Sequence, residues 1–160
     1  MKKVHYEYNQ IQRWCNRIAM DILKTDWRPD YIVGLTRGGL VPGVILSHIL
    51  DVPMHTLKVQ LRDGDTDTET NAWIPEDVTD GKNVLIVDDI NDTGETLAWI
   101  RSDWDKSVFQ GDIAYHWHKR VRVAVIVNNL ASDEQVDWCA IDINKVDDPC
   151  WICFPWEQDD

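Results

Sequence analysis

The chain has 160 residues, which suits one domain around a single core. Apolar residues make up 44%, so a packed globular fold is expected rather than disorder, and no apolar run reaches the roughly 20 residues of a membrane-spanning helix. The net charge of −12 disfavours a nucleic-acid partner, because phosphate contacts need a basic face.

Met1-Lys2-Lys3-Val4-His5-Tyr6 has no apolar stretch after its lysines, so it does not read as a signal peptide and a cytoplasmic protein is expected. Residues 9–24 read as a helix, with Ile11, Trp14, Cys15, Ile18 and Ile22 spaced by three and four and Asn9 as its cap. Trp27-Arg28-Pro29-Asp30 ends it. Residues 31–35 form a short apolar strand, 36–39 a Thr-Arg-Gly-Gly turn, and 40–50 a helix that tolerates Pro42 in its first turn. Residues 54–61 are the next strand. The acidic, apolar-free stretch 62–70 is expected to be a mobile loop.

A continuous apolar strand follows over 83–87, then a turn over 88–94 and a helix over 95–100. Further strands are expected over 121–127, followed by the polar pair Asn128-Asn129, and over 136–143. Apolar strands alternating with helices indicate an α/β fold: one domain over 1–160 with a mainly parallel sheet flanked by helices. Ligands gather at the carboxyl ends of such strands, where the polar turns 36–39, 88–94 and 128–129 fall. The insertion 103–120, with Trp104, His116, Trp117 and His118, is expected to serve packing or subunit contact. Cys15, Cys139, Cys150 and Cys153 are too few for a disulfide framework and lack the spacing of a zinc site, so they read as buried or half-buried thiols.

The stretch from Val84 to Thr96, VLIVDDINDTGET, carries the chemistry. Four apolar residues deliver two adjacent carboxylates, Asp88 and Asp89, to a strand end. A third, Asp92, opens a Thr-Gly-Glu-Thr loop running into a helix. Backbone N–H groups at that helix start and the hydroxyls of Thr93 and Thr96 make a cradle for a phosphate monoester, and Gly94 allows close approach. The paired acids suit the hydroxyls of a ribose or a hydrated magnesium ion.

This segment resembles the 5-phosphoribosyl-1-pyrophosphate (PRPP) motif of type I phosphoribosyltransferases. Leu35-Thr36-Arg37-Gly38-Gly39-Leu40-Val41-Pro42-Gly43 is similar to the pyrophosphate loop of the xanthine–guanine branch. Cys150-Trp151-Ile152-Cys153-Phe154-Pro155-Trp156 resembles that branch's C-terminal hood, placed at about 136–160. The resemblance implies transfer of a 5-phosphoribosyl group from PRPP to a purine base, with Mg2+ as cofactor and a dimer or tetramer as the assembly.

It also implies roles residue by residue. Arg37 and Gly38 would grip pyrophosphate, with a cis peptide before the first glycine. Asp88 and Asp89 would contact the ribose hydroxyls and the metal, Asp89 as metal ligand. Asp92 would serve as general base or as partner of purine N7, and Thr93, Gly94, Glu95 and Thr96 would hold the 5′-phosphate. Trp151 would stack on the base while the Ile152 backbone reads its edge. The stretch 62–70 would be the lid, with Lys58 or Arg62 as its cation. The branch has a lysine after the strand placed at 121–127, where this chain has Asn128. An amide both donates and accepts, so a 6-oxo, 6-amino or modified purine stays open, as does a non-purine acceptor. A relative that binds PRPP or a nucleotide without turnover would carry the same segment.

Overall fold

The structure is a computed structural model that describes residues 1–62, 65–68 and 71–157. Its main sheet has six strands in the order β4-β3-β2-β5-β6-β7. These are β2 (Tyr31–Thr36), β3 (Met54–Arg62), β4 (Asp65–Thr68), β5 (Val84–Asn91), β6 (Val121–Asn129) and β7 (Trp138–Ile143). All neighbours are parallel except β3 and β4. The expected α/β architecture is therefore present, and its layers follow from the strands' own alternation. Leu85 and Val87 face one side with Ile32, Ala124 and Ile126; there they meet α1 (Tyr8–Leu23) and α2 (Leu40–Leu50). Val84 and Ile86 face the other side with Val33, Val123 and Val125, against α3 (Trp73–Thr79) and α4 (Glu95–Trp104). Each such fully buried branched side chain contributes about 1.5–3 kcal/mol, which fixes the register of the strands whose ends carry the polar turns.

Several boundaries differ from the sequence reading, each for a physical reason. β5 continues through Asn91 instead of turning at Asp88, because β6 pairs with it as far as Asn91 opposite Asn128. Asp88 and Asp89 are thus strand residues held by the sheet. The cap of α1 is Glu7, not Asn9: the Glu7 N–H donates to Gln10 Oε1 at 2.9 Å in a capping box. Part of the expected lid is a strand, since β4 pairs antiparallel with β3 from Val59 opposite Thr68 to Arg62 opposite Asp65. Residues 63, 64, 69 and 70 of that lid, and the side chain of Arg62, lie outside the described residues, while Lys58 is exposed on β3.

The hood also differs. β7 belongs to the main sheet, so the hood does not begin at about 136. Instead β1 (Lys2–His5) pairs parallel with β8 (Cys150–Cys153) as a separate two-stranded sheet. The N-terminus therefore builds half of it. In the insertion, α4 passes into a π-helical turn (Asp105–Phe109), Trp104 is fully buried, and Trp117 packs edge-on to it with ring centroids 6.5 Å apart. His116 stacks on Phe109, so the insertion serves packing as expected. The four cysteines are free thiols, three of them buried.

Candidate active site

The turn from β5 to α4 forms the first part of the site. Gly94 has φ 94°, a conformation only glycine adopts without strain, and it sets the start of α4 at Glu95. A cavity of about 210 Å³ lies over this turn, lined by residues 88–97 and Val125. The turn thus frames a concavity at the N-terminus of α4. The end of β5 is tied to the loop after β6: Ser132 Oγ donates to Asn91 Oδ1 at 2.9 Å, and Asn91 Nδ2 donates to the Glu134 carbonyl at 2.8 Å. Glu134 in turn pairs with Arg101 of α4. A side chain at Gly94 would bring a Cβ within 2.8 Å of Ser132 Oγ, so the turn is pressed against that loop.

The second part is the meeting of β5 with the β2–α2 turn. A cis peptide joins Thr36 to Arg37, one bond earlier than expected. Gly38 lies so close to Asp89 that a Cβ there would stand 2.2 Å from Asp89 Oδ2. Arg37, Gly38 and Asp89 line one side of a cleft of about 940 Å³, and Trp151, Trp156 and Glu157 line the hood side. Burial lifts the Asp88 carboxyl well above its ordinary range, and the neighbouring charge of Asp89 lifts it further. Burial also raises Asp89; hydrogen bonds from Asp88 and the Ile90 N–H oppose this, and Glu157 adds to it. Among the described residues neither carboxylate has an ion-pair partner. Two desolvated acids with no protein cation fit a hard divalent cation completed by substrate oxygens and water. No cluster of three or more His, Cys, Asp or Glu ligands occurs among the described residues.

The third part is a cavity of about 120 Å³ between the β5 end and the hood, lined by Asp89, Ile90, Asp92, Lys145, Trp151, Ile152, Phe154 and Glu157. Trp151 is 56% exposed while Ile152 is buried, so β8 turns the indole out and its neighbour in. Asp92 faces Lys145, whose Nζ lies 3.0 Å from Asp92 Oδ2 and 5.8 Å from the centre of the Trp151 ring. Asn129, only 6% exposed, holds these two loops together. Its Nδ2 donates to the Asp92 carbonyl at 3.0 Å, and its Oδ1 accepts from the Lys145 N–H at 3.1 Å.

Of the twelve residues that the sequence assigned to the phosphoribosyl group, the metal or the base, eleven line these three cavities. Asn128 does not: its Oδ1 accepts from Asn91 at 2.9 Å and its Nδ2 donates to Asp142 at 3.1 Å, in a ladder across the ends of β5, β6 and β7. Asn129, Lys145 and Glu157 were missed. For Lys145 a signal existed, because it is the sole lysine or arginine between Val123 and Glu157. For Asn129, no pattern in the sequence separates it from Asn128.

A model of the phosphoribosyl transferase domain matches residues 6–159. A xanthine-guanine phosphoribosyltransferase of Cereibacter sphaeroides is 30% identical, over 98% of this chain and 88% of its own length. Xanthine phosphoribosyltransferase 1 of Saccharomyces cerevisiae is 25% identical, over 99% of this chain and 91% of its own. Among solved structures, the purine phosphoribosyltransferase from Pyrococcus horikoshii matches with a TM-score of 0.75 and 28% identity, covering 100% of this chain and 97% of that one.

Proposed function

The chain belongs to the phosphoribosyl transferase domain family, and from that premise we propose that it transfers the 5-phosphoribosyl group of PRPP to a purine base, giving a nucleoside 5′-monophosphate and pyrophosphate. One observation carries the reading: Asp89 lines all three cavities, so the turn into α4, the Arg37–Gly38 cleft and the Trp151 pocket converge on one carboxylate.

The parts divide the substrate between them. The α4 start with Thr93, Gly94, Glu95 and Thr96 takes the 5′-phosphate through backbone N–H groups and hydroxyls. Asp88 and Asp89 accept from the ribose hydroxyls. Arg37 and the Gly38 backbone receive pyrophosphate, and Trp151 offers its exposed face to the base. This also answers the net charge of −12: a polyanion is met by oriented N–H groups and local cations, which act at closer range than the global field.

In the reaction a base nitrogen bonds to ribose C1′ while the C1′–oxygen bond breaks, its electron pair leaving with pyrophosphate. The transition state resembles an oxocarbenium ion. Asp92 accepts the proton the base loses. Arg37 stabilises charge on the leaving group. Mg2+ fits the acidic pair, with Asp89 as its protein ligand; bound there, it would neutralise pyrophosphate oxygens.

A cytoplasmic location belongs to the same reading; no helix among the described residues is long and apolar enough to cross a membrane. So does an assembly of two or four copies, supported by the apolar groove on α2 between Leu40, Val41, Val44 and Ile45. The reading is tested by thermal shift with a panel of nucleoside 5′-monophosphates. Purine monophosphates should stabilise the protein and pyrimidine monophosphates should not; the reverse order would overturn the choice of base.

A further inference from the structure

The loop between β6 and β7 is fastened to the turn that enters α4 at Asn91, Thr93 and Gly94 in succession. Asn91 exchanges side-chain hydrogen bonds with Ser132 and the Glu134 carbonyl. The Asp133 N–H donates to the Thr93 carbonyl at 3.1 Å, and Ser132 Oγ accepts from the Glu134 N–H at 3.1 Å. At Gly94 an added Cβ would stand 3.0 Å from the Glu134 nitrogen and 3.1 Å from its Cγ. The Glu134 carboxylate then pairs with Arg101, in the last turn of α4.

Stability alone does not explain this pair. The Glu134 side chain is 8% exposed, so its charge is largely stripped of water. Arg101 Nε is buried with no acceptor among the described residues. Taking charges out of water offsets most of their mutual attraction, and packed apolar residues in their place are often as stable or more so. The unsatisfied donor adds to the cost. What such a pair does supply is a fixed position.

We infer that Glu134, paired with Arg101, is a positioning residue that holds the turn over 91–94 in its phosphate-binding shape before substrate arrives. The inference rests on the phosphoribosyl reading above. Thr93, Gly94, Glu95 and Thr96 line the cavity over the turn, and neither Glu134 nor Arg101 does, so the pair acts through the backbone. N–H groups at a helix start hold an oxyanion only when they converge on it. Gly94, at φ 94°, permits the turn, but a glycine reaches φ < 0 about as readily, so it does not enforce it. The Glu134 loop supplies that restraint. Arg101 lies roughly 9 Å along α4 from Glu95, so the pair fixes the helix axis while Asp133 and Ser132 fix its entry. Preorganisation raises affinity for the group that the turn holds. Were the turn without Glu134 to keep its binding shape in about one molecule in ten, a ribose 5-phosphate ligand would bind about 10-fold more weakly. Pyrophosphate, which the proposal assigns to Arg37 and Gly38, would bind as before.

The test titrates ribose 5-phosphate and pyrophosphate separately by calorimetry, with Mg2+ present, into the wild type, Glu134→Gln, Ser132→Ala and the double variant Glu134→Leu/Arg101→Met. The double variant should melt at or above wild type, bind ribose 5-phosphate about 10-fold more weakly and keep its pyrophosphate affinity. Ser132→Ala, which breaks the link from Asn91 to the Glu134 N–H, should shift ribose 5-phosphate in the same direction, and it carries the comparison if the double variant does not fold. Glu134→Gln keeps an acceptor for Arg101 and should retain most of the affinity. Unchanged ribose 5-phosphate affinity in the double variant or in Ser132→Ala would overturn the inference. So would both ligands weakening by the same factor, the mark of a merely structural pair. A wild type that binds neither PRPP nor ribose 5-phosphate would instead remove the phosphoribosyl reading, and this inference with it.

Discussion

Asn129 Nδ2 donates to the main-chain oxygen of Asp92 at 3.0 Å, bolting the end of β6 to the turn that follows β5. The same amide accepts from the N–H groups of Ala131 and Lys145. One buried side chain therefore sets where the proposed base and its lysine partner sit. Asn129→Ala leaves these groups without partners, and an unsatisfied buried polar group costs about 1–3 kcal/mol. The variant should melt several degrees lower and lose turnover, while PRPP affinity, which the proposal assigns to the α4 start and Arg37, stays near wild type. Equal loss of both would show that Asn129 supports the whole fold and not this junction.

Asp92→Asn preserves shape and the bond from Asn129 but removes the proposed proton acceptor. General-base removal lowers rates by about 10²–10⁴-fold. A fall of that order in kcat is expected, with PRPP affinity changed little. A large loss of PRPP affinity with kcat retained would instead make Asp92 a binding residue.

The acidic pair predicts a pH dependence. Burial raises both carboxyls above the ordinary 3.8, and for Asp88 the charge of Asp89 adds to the effect. A carboxyl raised in the folded state favours folding when protonated, so its contribution is full below its unfolded pKa and is lost as pH rises through the raised value. The protein without ligand should therefore gain stability from Asp88→Asn, more at pH 8 than at pH 5. On the proposed reading magnesium would bind the ionised pair, so its stabilisation of the wild type should also grow with pH. Thermal melts at the two pH values check both. Asp88→Asn melting lower than wild type at pH 8 would contradict the account.

Two tryptophans should respond in opposite ways. Trp151 is 56% exposed and Trp104 is fully buried. Trp151→Ala should leave the melting temperature near wild type and raise KM for the base roughly 10-fold or more, since a base–aromatic stack is worth about 1–3 kcal/mol. Trp104→Ala should cost about 3–5 kcal/mol of stability. Denaturant unfolding and steady-state kinetics on the same preparations separate the two.

The core strands were legible because burial on both faces makes their central runs apolar, as over 31–35 and 84–87. The acidic pair and the Gly94 loop were legible because local spacing alone specifies a strand end running into a helix start. β4 was missed because its residues are all polar, although Asp63-Gly64 between the two runs is a strong hairpin signal. β1 was missed for another reason: it is short, and its partner, β8, lies at the other end of the chain. Lys145 and Asn129 act across loops brought together only by the sheet order, so neither local period nor motif reveals their contact with Asp92.

The proposed transfer takes place at the junction of the three cavities. The direct measurement is pyrophosphate release from PRPP and magnesium in the presence of hypoxanthine, guanine, xanthine, adenine and pyrimidine bases in turn. Release with at least one purine, matched mole for mole by nucleoside 5′-monophosphate, is the predicted result. Saturable PRPP binding with no release for any base would contradict it.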